Sequence, residues 1–170
     1  RSTLFPYTTL FRARDYYRKV VIPSEFEHMS QTYTVVGIKE GTFSYCKKLI
    51  SLVMPNTITS VGPQAFSGCA MLESLVLSDQ LESIEELTFC GCMQIKSVEI
   101  PASVERINWN AFNYCTSLKT VVCQSNTPPF MAPNAFSDCP IKEIKVPQAS
   151  VAAYKGSDGW REYEDKIVGY

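Results

Sequence analysis

A Phe followed three residues later by a Cys recurs five times along this chain, with the cysteines at positions 46, 69, 92, 115 and 139. After each Cys comes an apolar pattern with the spacing L-x-x-L-x-L, as in Leu72, Leu75 and Leu77. The last apolar residue of this pattern advances by 23 residues each time, from Met54 to Val146. A unit of this length is too short to bury its own apolar side, so successive units must stack on one another and share one elongated core.

The apolar pattern predicts one short strand in every unit. The fifth unit gains a residue before Phe136 and loses one after Cys139, so the strand register survives while the loops vary. Stacking requires this, because strands of neighbouring units must pair whereas loops can differ. The predicted fold is a β-rich solenoid of about five coils, with a short-stranded parallel sheet along one face.

The repeated Phe and Cys residues are predicted to form two ladders in the core. Cysteines at one repeat position stack with parallel Cβ vectors, which suits neither a disulfide nor a tetrahedral metal site. We therefore expect small buried thiols and no metal. The predicted core ladders are Phe43, Phe66, Phe89, Phe112 and Phe136, and Cys46, Cys69, Cys92, Cys115 and Cys139.

The repeat unit resembles the BspA-like leucine-rich repeats of bacterial surface proteins. The segment AFSGCAMLESLVL is close to the usual unit of that family, and IPASVERINWNAF fits its linking half. The resemblance covers residues 20–170 and assigns them to the C-terminal portion of such a protein. It implies a leucine-rich repeat solenoid that recognises a protein or an extracellular-matrix ligand at the cell surface or after secretion.

The chain is predicted to have three parts. Residues 1–12 resemble a translated sequencing adapter, fit no repeat, and are expected to be a non-native leader. Residues 13–147 form the predicted solenoid. Residues 148–170 are predicted to cap its open end, with a short helix near Val151 that stops at Gly156 and with apolar bulk from Trp160.

Composition and motifs argue against most chemical functions. The net charge of the 170 residues is −1, so we expect no binding to nucleic acid, and no apolar run is long enough to insert in a membrane. The chain contains no G-x-S-x-G, no phosphate-binding loop and no dinucleotide-binding fingerprint. His28 is the single histidine and has no nucleophile at a motif spacing. We therefore expect no enzyme activity and no cofactor.

The outward positions of the strands form the predicted binding surface, because a solenoid displays variable residues on a fixed frame there. These candidate residues lie in two rows, which are Val53, Val76, Glu99, Val122 and Lys145, and beside them Ser51, Ser74, Ser97, Thr120 and Glu143. A third row becomes basic toward the C-terminus, with Lys96, Lys119 and Lys142. Exposed apolar residues mark interaction sites, although Val also simply suits strands.

The favoured function is non-catalytic recognition of a protein or matrix ligand by a monomer. Two alternatives stay open at this stage. One is a structural spacer within a larger surface protein. The other is an accessory module that binds glycans, which the absence of aromatic residues from the outward strand rows disfavours.

Overall fold

The 23-residue spacing of the sequence reappears as strand register in the structure, a computed structural model that describes residues 2–5 and 18–170. Ser51 lies beside Ser74, Ser97 beside Thr120, and Thr120 beside Glu143, always in parallel. The predicted solenoid with parallel strands is therefore confirmed.

Two sets of strands run along the stack. The front strands are β2 (Lys19–Val21), β5 (Ser51–Val53), β7 (Ser74–Val76), β9 (Ser97–Ile100), β11 (Thr120–Cys123), β13 (Glu143–Val146) and β14 (Ile167–Gly169). The five front strands from β5 to β13 carry the L-x-x-L-x-L pattern. The shorter back strands are β6 (Ser60–Val61), β8 (Ser83–Ile84), β10 (Arg106–Ile107) and β12 (Phe130–Met131).

A hairpin interrupts the repeat near its start. Strand β3 (Glu25–His28) pairs in antiparallel fashion with β4 (Gln31–Ile38), and the end of β4 pairs in parallel with β6. Strand β1 (Ser2–Phe5) also runs parallel to β4. The other positions of the predicted leader, residue 1 and residues 6–12, lie outside the described residues. The assignment of residues 1–12 as non-native therefore stays a prediction.

The five repeated Phe rings form one stacked column. Neighbouring ring centroids are 5.1 to 5.5 Å apart, with interplanar angles of 4 to 16°. Each ring is buried, and Phe66, Phe89 and Phe112 are completely inaccessible. This column occupies the turn side of every coil, whereas the aliphatic spine fills the strand side.

The cysteine ladder runs beside the Phe column. The Sγ atoms of the second to fifth members each donate to the carbonyl oxygen of the Phe one coil earlier, over 3.0 to 3.4 Å. A small thiol therefore fills the gap and satisfies a carbonyl that faces the interior. The first and last members, Cys46 and Cys139, are only half-buried, because each lies toward an end of the stack.

The cap combines a helix with one more strand. A single 3-10 turn (Gln148–Ser150) leads into α1 (Val151–Gly156), a second 3-10 turn (Trp160–Tyr163) follows, and β14 ends the chain. The buried Trp160 ring lies 6.5 Å from Phe136, and its Nε1 donates to the carbonyl oxygen of Pro129 over 2.8 Å. Trp160 thereby closes the Phe column at its C-terminal end.

Candidate functional site

The outward row of the front strands is longer than the sequence indicated. Val21 pairs with Val53 and Lys145 pairs with Val168, so both ends of the sheet contribute a further valine. We call this set the valine row; it comprises Val21, Val53, Val76, Glu99, Val122, Lys145 and Val168. Val21, Val76 and Val168 are 70, 49 and 40% exposed, whereas Val53 and Val122 are half-buried. The row is an apolar stripe with two charged members, Glu99 and Lys145.

The neighbouring row is polar. Ser74 and Ser97 are exposed, and Ser51, Thr120 and Glu143 are half-buried. Glu143 forms an ion pair with Lys145 over 3.5 Å, so the charge of one valine-row member is already balanced. Glu99 belongs to none of the ion pairs among the described residues.

The front sheet is divided into two parts between β7 and β9. Strands β2, β5 and β7 form one sheet, and β9, β11, β13 and β14 form another. Within the second sheet, the amides of Lys119 and Thr120 both donate to the carbonyl oxygen of Lys96. Among the described residues, no equivalent bond joins Lys96 or Ser97 to the carbonyl of Glu73 one coil earlier. At the back of the same two coils β6 and β8 do not pair as strands, although the amide of Glu82 donates to the carbonyl oxygen of Thr59 over 3.2 Å.

This opening exposes part of the core. The spine residues Leu52 and Val121 are fully buried, whereas Leu75 of β7 is only half-buried. A cleft of about 240 Å³ lies beside it on the strand face. We call this the interstrand cleft; it is lined by Leu75, Val76, Leu77, Asp79, Ser97, Glu99, Pro101 and Gln124. Two members of the valine row, Val76 and Glu99, therefore face each other across it.

The interstrand cleft is lined by apolar and acidic residues. No cation is among the lining residues, whereas Asp79 and Glu99 are both carboxylates. Asp79 is held in place by Asn56, whose Nδ2 donates to its carboxylate and whose Oδ1 accepts from its amide, both over 3.0 Å. The carboxylate of Glu99 accepts only a long bond of 3.5 Å from Gln124. Glu99 thus remains available for a stronger partner.

Other exposed features are not among the residues that line the interstrand cleft. Lys96, Lys119 and Lys142 stack as a basic ladder, because successive backbone bonds link their coils, and none of them belongs to an ion pair among the described residues. Trp109 and Phe130 are each about half exposed, and Arg106 lies 4.5 Å above the Phe130 ring. These aromatic side chains lie on or near the back strands.

The thiols of Cys92 and Cys90 are poorly placed for chemistry. Burial raises the pKa of Cys92, and partial burial also raises the pKa of Cys90. A raised pKa lowers the thiolate fraction and hence the reactivity of the thiol at neutral pH. In the described part of the chain, no three His, Cys, Asp or Glu side chains come together as a metal site. His28 lies exposed in the hairpin.

None of the helices among the described residues is long and apolar enough to cross a membrane. No curated protein sequence matches this chain. Solved structures do match. A leucine-rich cell surface protein from Faecalibacterium prausnitzii is 26% identical over 85% of this chain, with a TM-score of 0.66. The chain covers only 34% of the length of that protein.

Two further solved structures share the architecture. A leucine-rich repeat protein from T. pallidum is 25% identical to this chain, with a TM-score of 0.71. The match spans 89% of this chain and 68% of that protein. A leucine-rich repeat protein from Bacteroides capillosus is 31% identical to this chain, with a TM-score of 0.58. The match spans 63% of this chain and 77% of that protein. The sequence profile of the BspA-type leucine-rich repeat region matches residues 36–155 in six copies. This chain therefore belongs to the BspA-type leucine-rich repeat family.

Proposed function

We propose that this chain is a non-catalytic recognition scaffold that binds a protein or extracellular-matrix ligand at a bacterial cell surface, through the valine row and the polar row beside it. The observation that carries the proposal is the apolar stripe on the front strands. Apolar side chains that are aligned on a rigid frame are unfavourable in free energy when exposed to water, and their burial in an interface is favourable. Within each of the two front sheets, the alignment follows from strand register and not from chance exposure of single residues.

The surface location rests on resemblance. The relative from Faecalibacterium prausnitzii is described as a cell surface protein. The solenoid architecture adds support, because stacked repeats present extended binding surfaces of this kind. Catalysis is not part of the proposal, since the sequence contains no G-x-S-x-G, no phosphate-binding loop and no dinucleotide-binding fingerprint.

A binding screen with a matched pair of variants tests the proposal. The full chain is titrated over immobilised host matrix proteins by surface plasmon resonance. The disruptive variant replaces Val53, Val76 and Val122 with Glu. The control variant introduces the same charge change at three exposed positions off the front strands, with substitutions to Glu at Ser60, Ala102 and Ala153.

The proposal expects a ligand that binds the parent and the control variant but not the valine variant, at temperatures where all three are folded by circular dichroism. Equal binding by the valine variant would place recognition elsewhere on the molecule. If none of the three proteins binds any ligand of the screen, the result would favour the structural spacer.

A further inference from the structure

The opening between β7 and β9 is the place where this solenoid departs from its own repeat. Every other pair of neighbouring front strands is hydrogen-bonded. The cleft lies on the proposed recognition surface, and it contains Val76 and Glu99 of the valine row. A binding partner that covers the valine row therefore has to fill the cleft or leave a void beside Leu75.

The chemistry of the lining restricts what can fill it. Leu75, Leu77 and Pro101 are apolar residues of the lining, and their contact favours a side chain with an aliphatic stem. Asp79 and Glu99 supply two negative charges, with no cation among the lining residues. A purely apolar side chain would desolvate these carboxylates without compensation, whereas an acidic one would be repelled.

A cationic side chain with an apolar stem satisfies both requirements. Arginine fits better than lysine, because its guanidinium is planar, weakly hydrated, and able to donate two parallel hydrogen bonds to one carboxylate. Glu99 is the available acceptor, since its only bond within the described residues is the 3.5 Å contact with Gln124. Asp79 is already bonded to Asn56, so it adds negative potential more than a new bond.

We infer that the interstrand cleft is an anchor pocket for an arginine side chain of the protein partner, with Glu99 as the charge partner of its guanidinium. The inference rests on the proposed function, because it names the chemistry of the ligand at the same surface. Arginine anchors in central, partly desolvated pockets are common features of protein interfaces. The valine row on both sides of the cleft supplies the apolar surroundings.

The test uses a small probe and does not depend on knowing the partner. The ¹⁵N-labelled full chain is titrated with Nα-acetyl-arginine amide, and amide shifts are followed by NMR. Nα-acetyl-citrulline amide, which has nearly the same shape but no charge, is the matched probe. Two variants accompany the parent, Glu99→Gln in the cleft and Glu105→Gln at an exposed carboxylate outside it.

The arginine probe is expected to shift the amides of Leu77, Ser97 and Glu99, with binding weakened about tenfold or more by Glu99→Gln and left unchanged by Glu105→Gln. The citrulline probe is expected to cause no saturable shift at these amides. Shifts of the same size in Glu99→Gln, or no shift with arginine at all, would overturn the inference.

The outcome can be separated from that of the proposed function. If the arginine probe fails while the matrix screen gives binding that the valine variant loses, the recognition surface is right and its anchor is not arginine. If the probe binds in the cleft but the valine variant still binds matrix ligands, the pocket exists and the recognition surface lies elsewhere.

Discussion

Phe89→Ala should strongly lower the unfolding free energy of this protein, because Phe89 lies in the middle of the Phe column. Its side chain is completely inaccessible, and its ring lies 5.5 Å from that of Phe66 and 5.3 Å from that of Phe112. Truncation of a buried Phe to Ala costs about 3–5 kcal/mol through lost transfer energy and the cavity left behind. The value here should lie in the upper half of that range. Two ring stacks are lost, each worth about 0.5–1.5 kcal/mol, and stacked coils restrict collapse of the cavity.

For a chain of this length, a loss of about 4–5 kcal/mol lowers the melting temperature by about 8–20 °C. Guanidinium unfolding followed by Trp fluorescence is a suitable assay, since Trp160 ends the same column. Phe130→Ala is the matched control, because Phe130 is 49% exposed and its main contact is with Arg106. That contact is worth about 0.5–1 kcal/mol at an exposed site, so we expect a loss below about 1 kcal/mol in the control. Similar losses for the two variants would refute the argument that the Phe column carries the core.

Two other substitutions test the cap and the spine. Gly159→Ala should cost about 1–3 kcal/mol in unfolding free energy, because the φ of Gly159 is +80° and an added Cβ would lie 2.7 Å from the carbonyl oxygen of Met131. Gly156→Ala is the control, because a Cβ added at Gly156 would have no atom within 4 Å. We expect it to change the unfolding free energy by less than about 1 kcal/mol. Burial raises the pKa of Cys123 to about 12 from an ordinary value near 9, so the stability linked to this thiol is complete below pH 9 and is lost as the pH rises toward 12. Cys123→Val restores the aliphatic residue that other coils have at this position. In urea titrations at alkaline pH, we expect the unfolding free energy of the variant to fall less steeply with pH than that of the parent, by about 1.4 kcal/mol per pH unit. Parallel curves for the parent and the variant would contradict this assignment.

Much of the fold follows from the sequence because strand pairing allows little freedom. Apolar residues that recur every 23 positions can share a core only if the strands are stacked in register, which also sets which residues point outward. The final strand was harder to predict. Gly169 follows Val146 by the same interval, but Glu164, Ile167 and Gly169 retain only one aliphatic side chain of the apolar pattern.

The interstrand cleft could not be predicted in this way. The segments that form β7 and β9 keep the same apolar spacing as their neighbours, with Leu75 and Val98 at equivalent positions. Whether two coils are joined by backbone bonds depends on the loops and turns of both coils together, and no single repeat carries that information. The sequence therefore identifies the proposed recognition face, whereas the position of the cleft on that face comes from the structure.

The central claim is that the strand face opens between β7 and β9. Amide hydrogen exchange, measured residue by residue by NMR on the native protein, tests it most directly. The amides of Lys96 and Ser97, which lack the bonds to Glu73, should exchange about tenfold or more faster than the amides of Lys119 and Thr120, which are bonded to Lys96. Equal protection of the two pairs of amides from exchange would contradict the opening between β7 and β9, and with it the proposed arginine pocket.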